Sequence, residues 1–224
     1  MKNMNLVALL SAAGIAAIAN AQITAVTNVP GAFIDISGTG TSLGLTGVDD
    51  ATASFTAAHG NRIMAAGAAF ASTNGLVGAV ANSGFTNGTT ASTAVGTYAV
   101  YWDDLHTRSG EIYVENLSDR TIIQWNNVQH FVTSPSTVTF QLQIFDEGGP
   151  VLAQCIYQDI DFGDTNSFGA SATLGVHALD NSVTEFSMNT ASIQSGSIVS
   201  YVVPAPGAAA FLGLAGLAGI RRRR

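Results

Sequence analysis

Lysine is absent between residues 22 and 203, and only Arg62, Arg108 and Arg120 are basic there. Against them stand fifteen acids, from Asp35 to Glu185, which gives this stretch a formal charge of −12. The whole-chain figure of −7 conceals this, because Lys2 and four terminal arginines offset it. A surface of that sign repels nucleic acid and anionic lipid, so neither is expected as a partner of this region. It suits solubility, or attraction of divalent cations. Cysteine is nearly absent as well. Cys155 stands alone, so no internal disulfide can form. It shares a strand face with Val151, Ala153 and Tyr157, the setting of a buried inert thiol.

Motifs of catalysis are scarce too. The four histidines, His59, His106, His130 and His177, are scattered singly and form no H-E-x-x-H pair, which argues against a zinc site. No G-x-S-x-G elbow is present. A triad is defined by geometry rather than by order, so a secreted hydrolase stays as the second alternative. The expectation is a protein that is not an enzyme.

What is present falls into three parts: residues 1–21, 22–203 and 204–224. At the start, Lys2 supplies a positive region and residues 6–18 an apolar one. Ala19-Asn20-Ala21 then offers small residues for cleavage. This is the pattern of a secretory signal peptide, expected as a helix and removed after Ala21. At the other end, Pro204-Ala205-Pro206 precedes a glycine-rich apolar run over 207–220, closed by Arg221, Arg222, Arg223 and Arg224. As a helix that run rises about 21 Å, short of a hydrocarbon core of about 30 Å. The arginines favour the cytoplasmic side. Transient retention of an exported chain in the inner membrane fits this segment, with a permanent anchor as the alternative.

The order of parts in 204–224 resembles the PEP-CTERM sorting signal of Gram-negative bacteria, with Ala205 where that signal usually has Glu. The resemblance implies processing near Pro204-Ala205-Pro206 by an exosortase-type membrane transpeptidase. It also implies delivery to the cell envelope, cell surface or extracellular matrix, and an association with exopolysaccharide.

The middle part is of a size for one all-β domain. Val138, Phe140, Leu142 and Ile144 alternate with Thr139, Gln141 and Gln143, the period-two pattern of a half-buried strand. Ile123 and Trp125 alternate with Gln124 and Asn126; Ile112 and Val114 with Glu111, Tyr113 and Glu115; Ala172, Leu174 and Val176 with Ser171, Thr173 and Gly175. Turn chemistry separates them at 107–110, 116–119 and 147–150. Residues 51–71 are rich in alanine, but Gly60 and Gly67 argue against a helix, and we expect strands flanking His59-Gly60-Asn61. Residues 197–203 read as a closing strand. With no long amphipathic helix between strands, the expected fold is a single antiparallel β-sandwich. Tyr101-Trp102-Asp103-Asp104-Leu105, Ile122 to Val128, Val138 to Leu142, Tyr157-Gln158-Asp159-Ile160 and Ser171 to Val176 together look like a β-sandwich module of secreted bacterial proteins. This module is similar to the nidogen-type extracellular domain. The resemblance implies a structural or adhesive role.

Ligand sites are expected in two places. Asp159, Asp161 and Asp164 cluster after a strand and could hold calcium, although the spacing lacks a complete EF-hand loop. Asp49-Asp50 and Asp103-Asp104 are adjacent pairs, and neighbours on a strand point to opposite faces, so a pair needs a turn to share one ion. No other cofactor is expected. Trp102 and Trp125 either pack in the core or form a sugar-stacking platform. A carbohydrate- or calcium-binding extracellular module is therefore the first alternative function.

Overall fold

A computed structural model describes residues 22–131 and 136–204. Residues 25–202 form one compact unit built from two antiparallel sheets. The strands in chain order are β1 (Thr24–Val26), β2 (Thr41–Ser42), β3 (Thr52–Ala57), β4 (Gly67–Ser72), β5 (Leu76–Gly78), β6 (Thr97–Trp102), β7 (Leu105–His106) and β8 (Glu111–Asn116). They continue with β9 (Arg120–His130), β10 (Val138–Phe145), β11 (Val151–Asp159), β12 (Thr173–His177), β13 (Val183–Met188) and β14 (Ser197–Val202). The larger sheet runs β1-β14-β11-β10-β9-β8-β2, with β7 also pairing β9. The smaller runs β13-β12-β6-β5-β4-β3.

The expected sandwich is therefore the observed one. The strands expected over 51–71 are β3 and β4, and His59-Gly60-Asn61 lies in the connection between them. The turns expected at 107–110, 116–119 and 147–150 join β7 to β8, β8 to β9 and β10 to β11. The expected signal helix with Ala19 and Ala21, and the expected sorting helix with Ala205, Pro206 and Arg221 to Arg224, lie outside the described residues.

The two sheets close on an aromatic core. Trp125 on β9 stacks on Phe140 of β10 with ring centroids 4.9 Å apart, and Tyr101 of β6 meets Phe140 at 5.5 Å. Buried polar groups on these rings find carbonyls on the facing sheet, as burial requires. Trp125 Nε1 donates to Ser72 O at 2.9 Å, and Tyr157 Oη donates to Val100 O at 2.8 Å. Cys155 is buried in the larger sheet, where desolvation pushes its thiol up to about 12. It is inert.

The opposite face of the larger sheet departs from the period-two expectation. Gln124, Gln141, Gln143 and Gln154 occupy the face that alternation assigns to solvent, yet all four are buried. Residues 30–36 cross that face as an extended strap, and the glutamine amides hold its backbone. Ile36 N donates to Gln124 Oε1, Gln143 Nε2 to Ala32 O and Gln154 Nε2 to Pro30 O, at 2.9 to 3.1 Å. Gln124 pairs with Gln141 across β9 and β10, and Gln143 with Gln154 across β10 and β11. The four side chains thus form a stepped row across β9, β10 and β11, shifted by two residues along β10, on which the strap lies.

Candidate functional site

At one end of the sandwich two loops bring three carboxylates together. Asp49 and Asp50 precede β3, and Asp104 lies between β6 and β7. One carboxylate oxygen of each lies within 4.8 Å of the others, the one grouping of three potential metal ligands among the described residues. Adjacent side chains would diverge on a strand. Asp50 escapes this with φ +46°, in the left-handed region that Asp adopts more readily than most residues. The Asp49-Asp50 pair therefore turns both carboxylates toward Asp104.

The turn between β4 and β5 supports the cluster. Asn74 is fully buried. Its Nδ2 donates to Asp50 Oδ1 at 2.8 Å and to Ser83 O at 2.9 Å, and its Oδ1 accepts from Leu105 N at 2.8 Å. One side chain so fixes the loops on both sides of the acids. Gly75 follows with φ +75°, and a Cβ there would run into the Tyr101 carbonyl. Glycine is needed at that step.

The electrostatics are unfavourable as they stand. Partial burial, then the charges of Asp49 and Asp50, raise the Asp104 carboxyl above its ordinary 3.8. Asp49 Oδ1 is a buried atom that meets no hydrogen-bond donor among the described residues. Asp103 goes elsewhere. It is buried, accepts from Ser171 Oγ at 2.6 Å through Oδ2, and sits 3.5 Å from His130 Nε2 through Oδ1. Burial alone would lower the His130 imidazole, but its hydrogen bond to the Asp103 carboxylate and the charges of Asp103 and Asp104 outweigh that and raise the group.

Asp159, Asp161 and Asp164 are placed differently. They serve turns. Asp159 Oδ1 accepts from Asp161 N and Ser195 Oγ, Asp161 Oδ1 from Gly163 N and Ser167 Oγ, and Asp164 Oδ1 from Asn166 N. Pro204 is exposed at the end of the described residues. Both tryptophans lie in the interior, Trp102 at 5 % exposure with Nε1 donating to Gly84 O. That corrects the sugar-stacking alternative for Trp102 and Trp125, since a platform must present its ring face to solvent. The histidines are also occupied. His59 Nδ1 pairs with Asp146 at 2.9 Å, and His177 bonds Thr93 O and Asn181 Oδ1.

Three carboxylates can supply part of a calcium shell, which takes about six to eight oxygens. The acid pairs were conspicuous in the sequence. Their convergence was not, because it depends on the Asp50 backbone and on Asn74.

Fold and site together define an all-β module of two antiparallel sheets with an acidic loop end. The NIDO-related family model matches residues 23–210, and the chain belongs to that family. No curated protein and no solved structure matches the chain.

Proposed function

We propose that this chain is an exported, non-enzymatic protein of the cell surface or extracellular matrix, with a structural or adhesive role. The observation that carries this reading is the NIDO-related sandwich itself, matched over residues 23–210. The two ends of the sequence support it. Residues 1–21 carry a secretory pattern, and 204–224 carry the three-part order of a PEP-CTERM sorting signal. In this reading an exosortase-type transpeptidase acts near Pro204-Ala205-Pro206 after transient contact of residues 207–220 with the inner membrane. The product then joins exopolysaccharide-rich material outside the cell. Intact mass and fractionation of the native protein test the reading. A product beginning at Gln22 and ending near Pro204, found outside the cytoplasm, is expected. A full-length chain accumulating in the cytoplasm overturns it.

A second reading, calcium binding at Asp49, Asp50 and Asp104, is favoured by the donor-less Asp49 Oδ1 within a cluster of like charges. A divalent cation would relieve that repulsion. Calorimetry with calcium chloride tests it, and absence of heat leaves the cluster as a solubilising loop end.

A further inference from the structure

Five large apolar side chains are exposed among the described residues, and three of them gather at one place. Val80, Val95 and Leu179 are 58 %, 41 % and 47 % exposed. Val80 follows β5, Val95 precedes β6 and Leu179 follows β12, and these strands meet at Thr97, which pairs with Gly78 on one side and His177 on the other. The connections are bonded together, Ala79 N donating to Gly96 O and Gly96 N to His177 O. A Cβ on Gly96 would lie 3.3 Å from Leu179 Cδ2 and 3.7 Å from the Ala79 Cβ, so these side chains share one surface. Scattered exposed apolar residues need no explanation, but a group of them marks a contact.

This tip lies at the end of the sandwich from which the chain leaves. Leu179 N donates to the Arg62 carbonyl, and the Arg62 guanidinium pairs with Glu147 in the turn between β10 and β11. That turn leads into Val151, which pairs with Val202, the last residue of β14. Pro204 and the apolar run over 207–220 therefore continue from the tip end. The acidic cluster is at the other end. β9 runs its 11 residues from Arg120, opposite Phe145, to His130, opposite Leu105. At about 3.3 Å per residue the two ends are roughly 33 Å apart.

Charge follows the same division. At the tip end Asp119 pairs with Arg120, Asp146 with His59 and Glu147 with Arg62, and Asp180 accepts from Ser182 N and Oγ. Asp49, Asp50 and Asp104 repel one another at the far end. The net charge of the domain opposes approach to a lipid surface, but its distribution makes the tip the end opposed least.

We propose that Val80, Val95 and Leu179 form a lipid-contacting tip that rests in the headgroup layer while residues 207–220 hold the chain in the membrane. The inference rests on the reading of that run as a membrane segment. Chain length commits the tip to this occupant. Only residues 203–206 separate β14 from the run, and fully extended at about 3.3–3.6 Å each they reach roughly 14 Å. The headgroup layer alone takes up about 5–8 Å of that reach. The run, at about 21 Å as a helix, is shorter than the hydrocarbon core and draws the leash further in. The end of the domain within reach of lipid is thus the end that carries the apolar tip. Apolar side chains gain by entering the interface, but a few of them give only marginal, reversible binding. The tip orients the tethered domain, with its acidic end outward, and does not retain the domain once the leash is cut.

The full chain in phosphatidylcholine vesicles that contain a shallow nitroxide-labelled lipid tests this. An environment-sensitive dye is attached in turn to Val80→Cys, Val95→Cys and Leu179→Cys. Phe131→Cys, also exposed but bonded to Asp104 at the acidic end, is the control, and Leu214→Cys reports on the apolar run. Cys155 is buried and stays out of the reaction. Blue-shifted emission and quenching are expected at 80, 95, 179 and 214, and neither at 131. With the dye at 95, Val80→Ser together with Leu179→Ser should abolish quenching there, leave it intact at 214 and leave the circular dichroism unchanged. Quenching at 214 without the tip, or equal quenching at the tip and at 131, overturns the proposal and leaves the membrane reading of 207–220 standing. Quenching at the tip without 214 overturns that reading and upholds the tip. Tip dyes already shielded from iodide before vesicles are added would mean that a second copy or the chain's own tail covers the patch, and would overturn the proposal.

Discussion

The side-chain amide of Gln141 holds the backbone of Ile34 by two hydrogen bonds. Nε2 donates to the Ile34 carbonyl at 2.9 Å, and Oε1 accepts from the Ile34 N–H at 3.2 Å. This is how one strand's peptide group meets another's, except that a side chain provides both partners. The strap of residues 30–36 gains the hydrogen bonds of a strand without lying in a sheet. Its backbone groups would otherwise be trapped against the sheet face with no water.

Gln141→Ala should therefore cost more than one ordinary hydrogen bond. It strands the Ile34 N–H and C=O and removes the acceptor for Gln143 Nε2. With each buried orphan costing about 1–3 kcal/mol, a loss of roughly 2–4 kcal/mol is expected. Urea unfolding would measure the total. Hydrogen exchange should show faster exchange first in residues 30–36, while β9 and β10 stay protected.

The glutamine row also marks where alternation stops being informative. Val138, Phe140, Leu142 and Ile144 were legible as a core face because apolar residues at period two have one plausible destination. Gln141 and Gln143 have two, solvent or a polar covering segment, and the pattern is the same for both. The covering segment comes from more than a hundred residues earlier in the chain. The acidic end followed the same rule. Asp49-Asp50 and Asp103-Asp104 were visible as pairs, but which carboxylates meet is decided by φ +46° at Asp50 and by Asn74. The turn Glu147-Gly148-Gly149-Pro150 was readable because its residue types answer to local backbone needs.

Gly75→Ala should destabilise the fold by at least about 1 kcal/mol, for two reasons that add. The residue sits at φ +75°, and the new methyl would collide with Tyr101 O. The Gly75 carbonyl accepts from both Val100 N and Tyr101 N, so any shift of the turn also loosens β6. A lowered thermal midpoint is the measurement. A silent substitution would mean that the turn can relax without cost.

Glu111 gives the fold an acid limit. It is buried at 7 % exposure, and burial acts to raise its carboxyl. Hydrogen bonds from Ile112 N, Leu45 N, Ser42 Oγ and Thr46 Oγ1 outweigh that and hold it below 4.5. A depressed carboxyl stabilises the fold above its unfolded value, and the contribution is lost as pH falls through the folded value. Glu111→Gln keeps the shape but loses the charge and one acceptor oxygen. It should cost about 1–3 kcal/mol at neutral pH, with the gap to wild type narrowing below about pH 4.5. Urea midpoints at neutral and acid pH would show it.

Asp104 behaves with the opposite sign. Its carboxyl is raised by partial burial and then by Asp49 and Asp50, so the folded state binds the proton more tightly than the unfolded chain does. The stability linked to that proton is fully present below the unfolded value near 3.8. It is lost as pH rises through the raised folded value. At neutral pH the ionised group opposes folding. Asp104→Asn should therefore stabilise the protein at pH 7, by roughly 0.5–1 kcal/mol for a partly exposed like-charge cluster, and the gain should vanish in acid. Thermal melts at the two pH values measure this directly. Calcium chloride separates the two roles of the cluster. If Asp49, Asp50 and Asp104 hold a cation, calcium should raise the wild-type midpoint more than that of Asp104→Asn. Equal responses would leave the three acids as a repulsive surface feature alone.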